Sequence, residues 1–260
     1  MYRFLLIAFF LLTSPKLFAQ TWELGAFGGS AGYLGDLNQH NPVQPSGLAV
    51  GAFIQRNFNP YLSLKLNLTH GTISGADSTS STQQFRDRNL SFKTRLNELT
   101  ALLEFNFMRF TPGADFNHYT PYIYFGAGVV DYNPTATYQN QEYDLRPLMT
   151  EGAAYSNIAL AIPYGAGFKY NFNSSWNVGL SFGYRYTRTD YLDDVSGAYA
   201  DRSTFTNPVA KALSDRSGEK TGVYLGVPGT QRGDYRGYDN YMFIGLSISF
   251  TFVSADCYYK

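Results

Sequence analysis

The sequence predicts an all-β protein, a single eight-stranded antiparallel transmembrane β-barrel with short periplasmic turns and long extracellular loops. Three observations predict it. The 260 residues are 44% hydrophobic and 17% aromatic but only 15% charged, whereas charged residues make up about a quarter of an ordinary soluble domain. Apolar and polar residues alternate with a period of two in eight segments, as in strands with one face in lipid. Short and long connections between these segments also alternate.

The chain begins with a predicted secretory signal peptide, residues 1–19. Arg3 gives it a positive start, its apolar stretch is too short to span a bilayer, and Ala19 is a small residue at the expected cleavage site. Residues 20–253 then form the predicted barrel, and residues 254–260 a periplasmic C-terminal tail. We expect no transmembrane helix, because no stretch of about eighteen apolar residues follows the leader.

The charge of the mature chain argues against a nucleic-acid partner. Cleavage removes Arg3 and Lys16, which leaves 18 of the 20 basic residues against 20 acidic ones, without a basic tract. No cofactor is expected. No metal site of histidines is expected either, because His40 and His118 fall in connections.

The strand pattern is clearest in residues 61–72, where four leucines on one face alternate with polar residues on the other. In chain order, the eight predicted strands cover residues 22–34, 48–58, 61–72, 98–107, 121–132, 158–169, 176–185 and 242–252. Their polar faces are rich in Gly and Ser, which suits a narrow barrel interior.

The connections predict the topology. Tight turns are expected at residues 57–60 and 172–175, with an intermediate one at 111–120. The long connections cover residues 37–45, 77–94, 133–157 and 190–239. Outer-membrane barrels have short turns on the periplasmic side and long loops outside, and an even number of strands returns the chain to the side where it started. We therefore expect a bacterial outer-membrane protein with both termini in the periplasm.

Several charges are predicted to face the lumen. They are Lys65, Glu98, Glu104, Lys169 and Arg185, with Glu23 near the start of the first strand. Side chains just fill an eight-stranded barrel, and an unpaired buried charge is costly. These residues therefore predict an internal salt-bridge network and little or no channel activity.

An acidic cluster follows the seventh strand. Asp190, Asp193 and Asp194 offer carboxylates of the kind that Ca²⁺ binds, so they form a possible cation site. The spacing is not that of an EF-hand, and a solvated loop with turn-forming aspartates is the favoured interpretation.

An enzyme is not expected. Some small barrels are lipid hydrolases, and His70 shares the predicted lipid-facing side with Thr72 and Ser74. Ser74 would lie about 13 Å from His70 along the strand, too far for a nucleophile and its base. Thr72 is nearer but is a poorer nucleophile, and no acid partner is evident.

Three segments resemble a known family. They are residues 33–38 (YLGDLN), 162–170 (IPYGAGFKY) and, most specifically, 182–196 (FGYRYTRTDYLDDVS). Together they are similar to the PorG-like outer-membrane proteins of the type IX secretion system. The resemblance implies a non-enzymatic barrel that attaches a periplasmic ring, made of a lipoprotein and a second ring subunit, to the outer membrane. In gliding bacteria the same machine exports adhesins.

The tail carries the only cysteine, Cys257, together with Tyr258 and Tyr259. In the oxidising periplasm an odd cysteine suggests pairing with another chain, and an incidental free thiol is the alternative. The resemblance implies a disulfide to the ring lipoprotein, with these three residues as the partner-binding segment.

Other partners and functions stay open. The longest loop carries Arg202, Lys211, Arg216 and Lys220, which could contact other secretion components or lipopolysaccharide phosphates. The alternative functions are a general small porin or transporter and, less favoured, a lipid A-modifying barrel hydrolase.

Overall fold

The computed structural model describes residues 21–39, 41–113, 117–234 and 236–252. The predicted signal peptide lies outside the described residues. The strands are β1 (Thr21–Leu34), β2 (Pro45–Asn57), β3 (Leu62–Ala76), β4 (Ser91–Asn106), β5 (Tyr119–Tyr138), β6 (Gln141–Asp144), β7 (Ile158–Asn173), β8 (Trp176–Thr187) and β9 (Asn240–Phe252).

Eight of these strands close into an antiparallel barrel, which confirms the predicted fold class. They pair in the order β1-β2-β3-β4-β5-β7-β8-β9, and β9 pairs with β1 to complete the circle. The closing pair runs from Trp22 opposite Phe252 to Leu34 opposite Asn240. The short β6 pairs with the last residues of β5.

The connections at the two ends of the barrel differ in length, except that the turn after β4, residues 107–118, is longer than the connection over residues 35–44. The turns after β2, β4 and β7 lie at the end of the barrel where β1 begins and β9 finishes, which we call the short-turn end. The long connections, residues 35–44, 77–90, 145–157 and 188–239, lie at the opposite end, the loop end. Because the number of barrel strands is even, Thr21 and Phe252 are at the same end.

The outside of the barrel is apolar. In β3, for example, Leu66 is 49% exposed and faces outward, whereas the adjacent Lys65 is 8% exposed and faces inward. Exposed aromatic side chains collect near the short-turn end: Trp22, Tyr61, Phe105, Phe107, Tyr119, Tyr170, Phe172, Trp176 and Phe252. An apolar belt bordered by aromatic residues is the lipid-facing surface of an outer-membrane barrel, and the protein is a barrel of this type.

Two strands continue further toward the loop end than predicted. The hydrophobic pattern predicted loops over residues 77–94 and 133–157, but β4 begins at Ser91 and β5 continues to Tyr138. Phe92 in this part of β4 is buried beneath the loops. Alternation between lipid and lumen ends at the bilayer edge, whereas strand pairing continues beyond it, so hydrophobicity alone does not reveal these extensions.

The loops contain short helices. They are α1 (Gln83–Arg88), α2 (Pro208–Ser214) and α3 (Ser217–Thr221), with 3₁₀ turns at Asp77–Thr79, Arg146–Leu148 and Arg202–Thr204. Asn207 caps α2 by accepting hydrogen bonds from the N–H groups of Val209 and Ala210. No helix among the described residues is long and apolar enough to cross a membrane.

A hydrophobic core closes the loop end. Leu192, near the start of the longest loop, is fully buried in this core, and its carbonyl accepts a hydrogen bond from Thr94 of β4. Other members of the core are Tyr33, Leu37, Leu90, Phe92, Leu96, Val130, Tyr132, Val195, Tyr241 and Phe243. The long loop therefore enters the mouth of the barrel before it turns outward.

Candidate functional site

One ion-pair cluster in the lumen is built on Glu104. This β4 residue is 1% exposed, and its two carboxylate oxygens accept hydrogen bonds from the Nζ atoms of Lys65 in β3 and Lys169 in β7, each at 2.8 Å. Both ammonium groups also lie over the ring of Tyr122, at 5.8 and 4.6 Å from its centroid. A single carboxylate thus connects three strands of the wall.

A second cluster lies nearer the loop end and spans the lumen. Glu98 of β4 accepts hydrogen bonds from Arg185 Nε of β8 at 3.1 Å and from the hydroxyl of Tyr241 of β9 at 2.6 Å. The Arg185 guanidinium lies 4.4 Å from the centroid of Phe243. Because β9 is opposite β4 in the circle of strands, these bonds join the two sides of the barrel.

The charges within the barrel balance. Glu23 is buried and accepts a hydrogen bond from the side chain of Ser249. The buried charged residues of the described strands are three carboxylates and three cations, namely Glu23, Glu98, Glu104, Lys65, Lys169 and Arg185. The structure therefore places all the predicted lumen charges inside the barrel, each with a polar partner.

Large side chains fill the space between the charges. Tyr122 and Tyr124 point into the lumen and are almost fully buried. They fit because glycines face them: a Cβ at Gly167 would collide with the ring of Tyr122, and one at Gly183 with the hydroxyl of Tyr124. The cavity beside these tyrosines and Glu104 has a volume of about 40 Å³, which is room for one or a few waters.

The candidate hydrolase residues do not form a catalytic group. His70 is exposed on the outer surface of β3, and its Nδ1 lies 2.8 Å from Oδ1 of Asn97. The hydroxyl of Ser74 donates instead to the carbonyl of Ser46 at 2.9 Å. Within the described residues, no serine or threonine hydroxyl is hydrogen-bonded to His70.

Three carboxylates converge at the loop end. Asp36 follows β1, Asp190 follows β8 and Asp239 precedes β9, and one oxygen of each lies within 4.8 Å of the others. Asp193 lies alongside, because the Tyr33 hydroxyl is 2.5 Å from its Oδ2 and 3.1 Å from Oδ1 of Asp239. We call Asp36, Asp190 and Asp239 the acidic triad.

Burial shifts the acidity of this region. Burial, reinforced by the charge of Asp234, raises the pKa of Asp36 to about 8. Burial likewise raises the pKa of Asp190 to about 6. The pKa of Asp239 is raised by burial and then by the charges of Asp36 and Asp190. In the triad, burial and mutual repulsion therefore favour the neutral carboxyl groups, because little solvent is available to stabilise several negative charges side by side.

The composition of the triad differs from the acidic group expected from the sequence. Of Asp190, Asp193 and Asp194, only Asp190 belongs to it. The carboxylate of Asp194 instead accepts hydrogen bonds from the hydroxyls of Thr150, at 2.5 Å, and Tyr155, at 2.6 Å. Asp36 and Asp239 are far apart in the sequence, but Asp36 adjoins the loop end of β1 and Asp239 adjoins the loop end of β9. The signal that could have revealed them is that these two strands must meet when the barrel closes.

The predicted partner-binding residues Cys257, Tyr258 and Tyr259 lie outside the described residues. The described chain reaches Phe252, at the short-turn end, so the tail is attached to that end of the barrel.

The chain is weakly similar to several solved outer-membrane proteins. The N-terminal β-barrel domain of Pseudomonas aeruginosa OprF is 16% identical, with a TM-score of 0.38, and the match covers 89% of this chain and 97% of that one. Neisserial surface protein A is 9% identical, with a TM-score of 0.40 and coverage of 90% and 97%. The outer membrane protein OprG from Pseudomonas aeruginosa is 10% identical, with a TM-score of 0.40 and coverage of 90% and 98%. Similarities at this level carry no argument about function.

A comparison with curated proteins found no match. The family model described as "Domain of unknown function (DUF6089)" matches residues 2–210. Since the match covers most of the sequence, the chain belongs to the DUF6089 family.

Proposed function

We propose that this protein is a non-enzymatic outer-membrane component of the type IX secretion system, and that it attaches the periplasmic ring to the outer membrane. Its partners would be the ring lipoprotein and the second ring subunit. The barrel would supply the membrane anchor, and the tail that follows β9 would supply the contact, with Cys257 forming a disulfide to the lipoprotein.

The observation that carries the proposal is the filled lumen. Glu104 with its two lysines, and Glu98 with Arg185, connect the walls, and tyrosines occupy the space between them. A barrel whose lumen is crossed by these side chains would act through its surfaces and its ends. This favours an anchoring role over the alternative of a small porin or transporter.

The second support is the resemblance of residues 182–196 to the PorG-like proteins. In this chain that segment spans the end of β8 and the start of the long loop, and it includes Arg185, Asp190 and the buried Leu192. The proposed family signature therefore coincides with residues that close the barrel.

The first experiment is a non-reducing gel of native outer membranes, comparing the wild type with Cys257→Ser. We expect a larger, reductant-sensitive band in the wild type that disappears in the variant, because Cys257 is the only cysteine. Mass spectrometry of the band would identify the partner. A ring lipoprotein in that band would support the proposal.

The controls separate the disulfide from the anchoring role. Asp201→Asn, in an exposed loop at the opposite end of the barrel, keeps the thiol and should keep the larger band. A monomer-sized band in both the wild type and Cys257→Ser would exclude the disulfide. In that case, failure of the ring proteins to co-purify with the barrel after chemical cross-linking would also exclude the anchoring role.

A further inference from the structure

The acidic triad brings together three segments of the loop end. β8, β9 and β1 are neighbours in the barrel, so the chain leaving β8 and β1 and the chain entering β9 meet at one edge. Asp36, Asp190 and Asp239 lie within three residues of those strand ends. Oxygens bound to one Ca²⁺ at 2.3–2.6 Å lie at most about 5 Å apart, and the triad oxygens lie within 4.8 Å of one another.

The cationic side chain near the triad is that of Arg88, which donates to the backbone carbonyl of Asp36 at 3.2 Å and is itself paired with the carboxylate of Asp77 at 2.6 Å. Three further loop arginines are paired with other carboxylates: Arg232 with Glu151 at 2.9 Å, Arg216 with Glu219 at 2.9 Å and Arg236 with Asp234 at 3.3 Å. Within the described ranges, no lysine or arginine forms a salt bridge with a triad carboxylate. Asp193 adds a fourth carboxylate nearby.

An independent observation is an unpartnered buried oxygen on Asp36. The residue is 2% exposed. Its Oδ1 accepts a hydrogen bond from the N–H of Asp234, whereas Oδ2 is buried and has no hydrogen-bond partner among the described residues. A buried carboxylate oxygen without a partner is costly, and a bound cation would remove that cost.

We propose that Asp36, Asp190 and Asp239 bind a Ca²⁺ ion that holds the long loop against the ends of β1 and β9. All three ligands are carboxylates, which favours a hard cation over zinc or copper. Calcium accepts irregular sets of six to eight oxygens, whereas Mg²⁺ requires a near-ideal octahedron.

The test is isothermal titration calorimetry with CaCl₂ on the mature chain. Refolding the protein from inclusion bodies into detergent removes lipopolysaccharide, which itself binds divalent cations. We expect one site with a Kd on the order of 10⁻⁴ to 10⁻³ M, the range of extracellular calcium modules. Asp36→Asn and Asp239→Asn should each weaken binding at least about tenfold.

Asp201→Asn is the matched control, because it removes an exposed carboxylate from the same loop; its Ca²⁺ affinity should be unchanged. Heat-modifiable migration on gels reports whether each variant has folded. If Asp36→Asn does not fold, the less buried Asp190→Asn takes its place. Three results would overturn the proposal: no Ca²⁺ binding by the wild type, equal binding by the triad variants, or Mg²⁺ binding at least as tight as that of Ca²⁺.

Discussion

At the level of single residues, Glu104 shows how this barrel tolerates charge in its interior. The carboxylate is 1% exposed, and both of its oxygens receive an ammonium group, from Lys65 and Lys169. Removing one partner of a buried ion pair costs more than the pair contributes, because the remaining charge stays buried without compensation. Here a single substitution would leave two cations unpaired.

We therefore expect Glu104→Gln to lower the free energy of unfolding by about 3–5 kcal/mol. The measurement is urea unfolding of the barrel refolded into lipid vesicles. Glu219→Gln is the control: it breaks a more exposed pair with Arg216 and should cost at most about 1 kcal/mol.

A compensated variant separates charge from packing. Replacing Glu104 by Leu and both Lys65 and Lys169 by Met removes all the charges of the cluster, and it should restore most of the lost stability, because apolar groups of similar volume replace buried ion pairs at little cost. If the Glu104→Gln variant were no less stable than the Glu219→Gln variant, Glu104 would not be needed to compensate the buried charges of Lys65 and Lys169.

At the level of elements, β3 shows how one strand serves two environments. Leu64, Leu66 and Leu68 are exposed on the outer face, whereas Ser63 and Lys65 are buried within the barrel. The pleat places successive side chains on opposite faces. A polar residue substituted on the outer face is therefore exposed to lipid, whereas one substituted on the inner face lies in the lumen. The depth of the residue in the bilayer then determines its cost.

Leu66→Arg should therefore destabilise the barrel in vesicles by about 2–4 kcal/mol, because Leu66 lies near the middle of the apolar band. Leu48→Arg is the depth control. Leu48 is 76% exposed at the loop end of β2, where the cost should be about 0–1 kcal/mol. Equal unfolding free energies for the two variants would contradict the placement of the bilayer around this barrel.

At the level of the whole molecule, the barrel is closed twice. The ion pairs of Glu98 and Glu104 with the lumen tyrosines fill its interior, and the core around Leu192 closes the loop end. The lumen closure comes from strands, whereas the core at the loop end combines loop residues such as Leu192 with strand residues such as Phe92. Tyr241 and Phe243 of β9 belong to both closures, because they contact Glu98 and Arg185 as well as the core.

We therefore expect no steady ion conductance from the purified protein in planar bilayers. Replacing residues 189–238 by a short Gly-Ser linker would remove the loop closure, and conductance should still be absent because the lumen stays filled. A general porin reconstituted in the same way is the positive control. Discrete, stable conductance steps from the wild type would favour the porin alternative.

Most of the architecture could be predicted from the sequence, because the bilayer imposes a simple rule. Alternation in residues 61–72 and its counterparts follows from one face in lipid and one in the lumen, and all eight strands are confirmed. The same rule places Lys65, Glu104 and Arg185 inside. The alternation imposed by the bilayer does not predict β6 or the extension of β4 back to Ser91, because those segments lie beyond the apolar band.

Only the tertiary structure decided which side chains meet. The sequence by itself determined that Lys65, Glu98 and Glu104 face inward, since periodicity fixes the face of each residue, but the assignment of Glu98 to Arg185 depends on how strands are staggered across the lumen. Closeness along the sequence suggested an acidic group of Asp190, Asp193 and Asp194. The triad instead joins Asp36, Asp190 and Asp239, because closing the barrel brings together strand ends that are far apart along the chain.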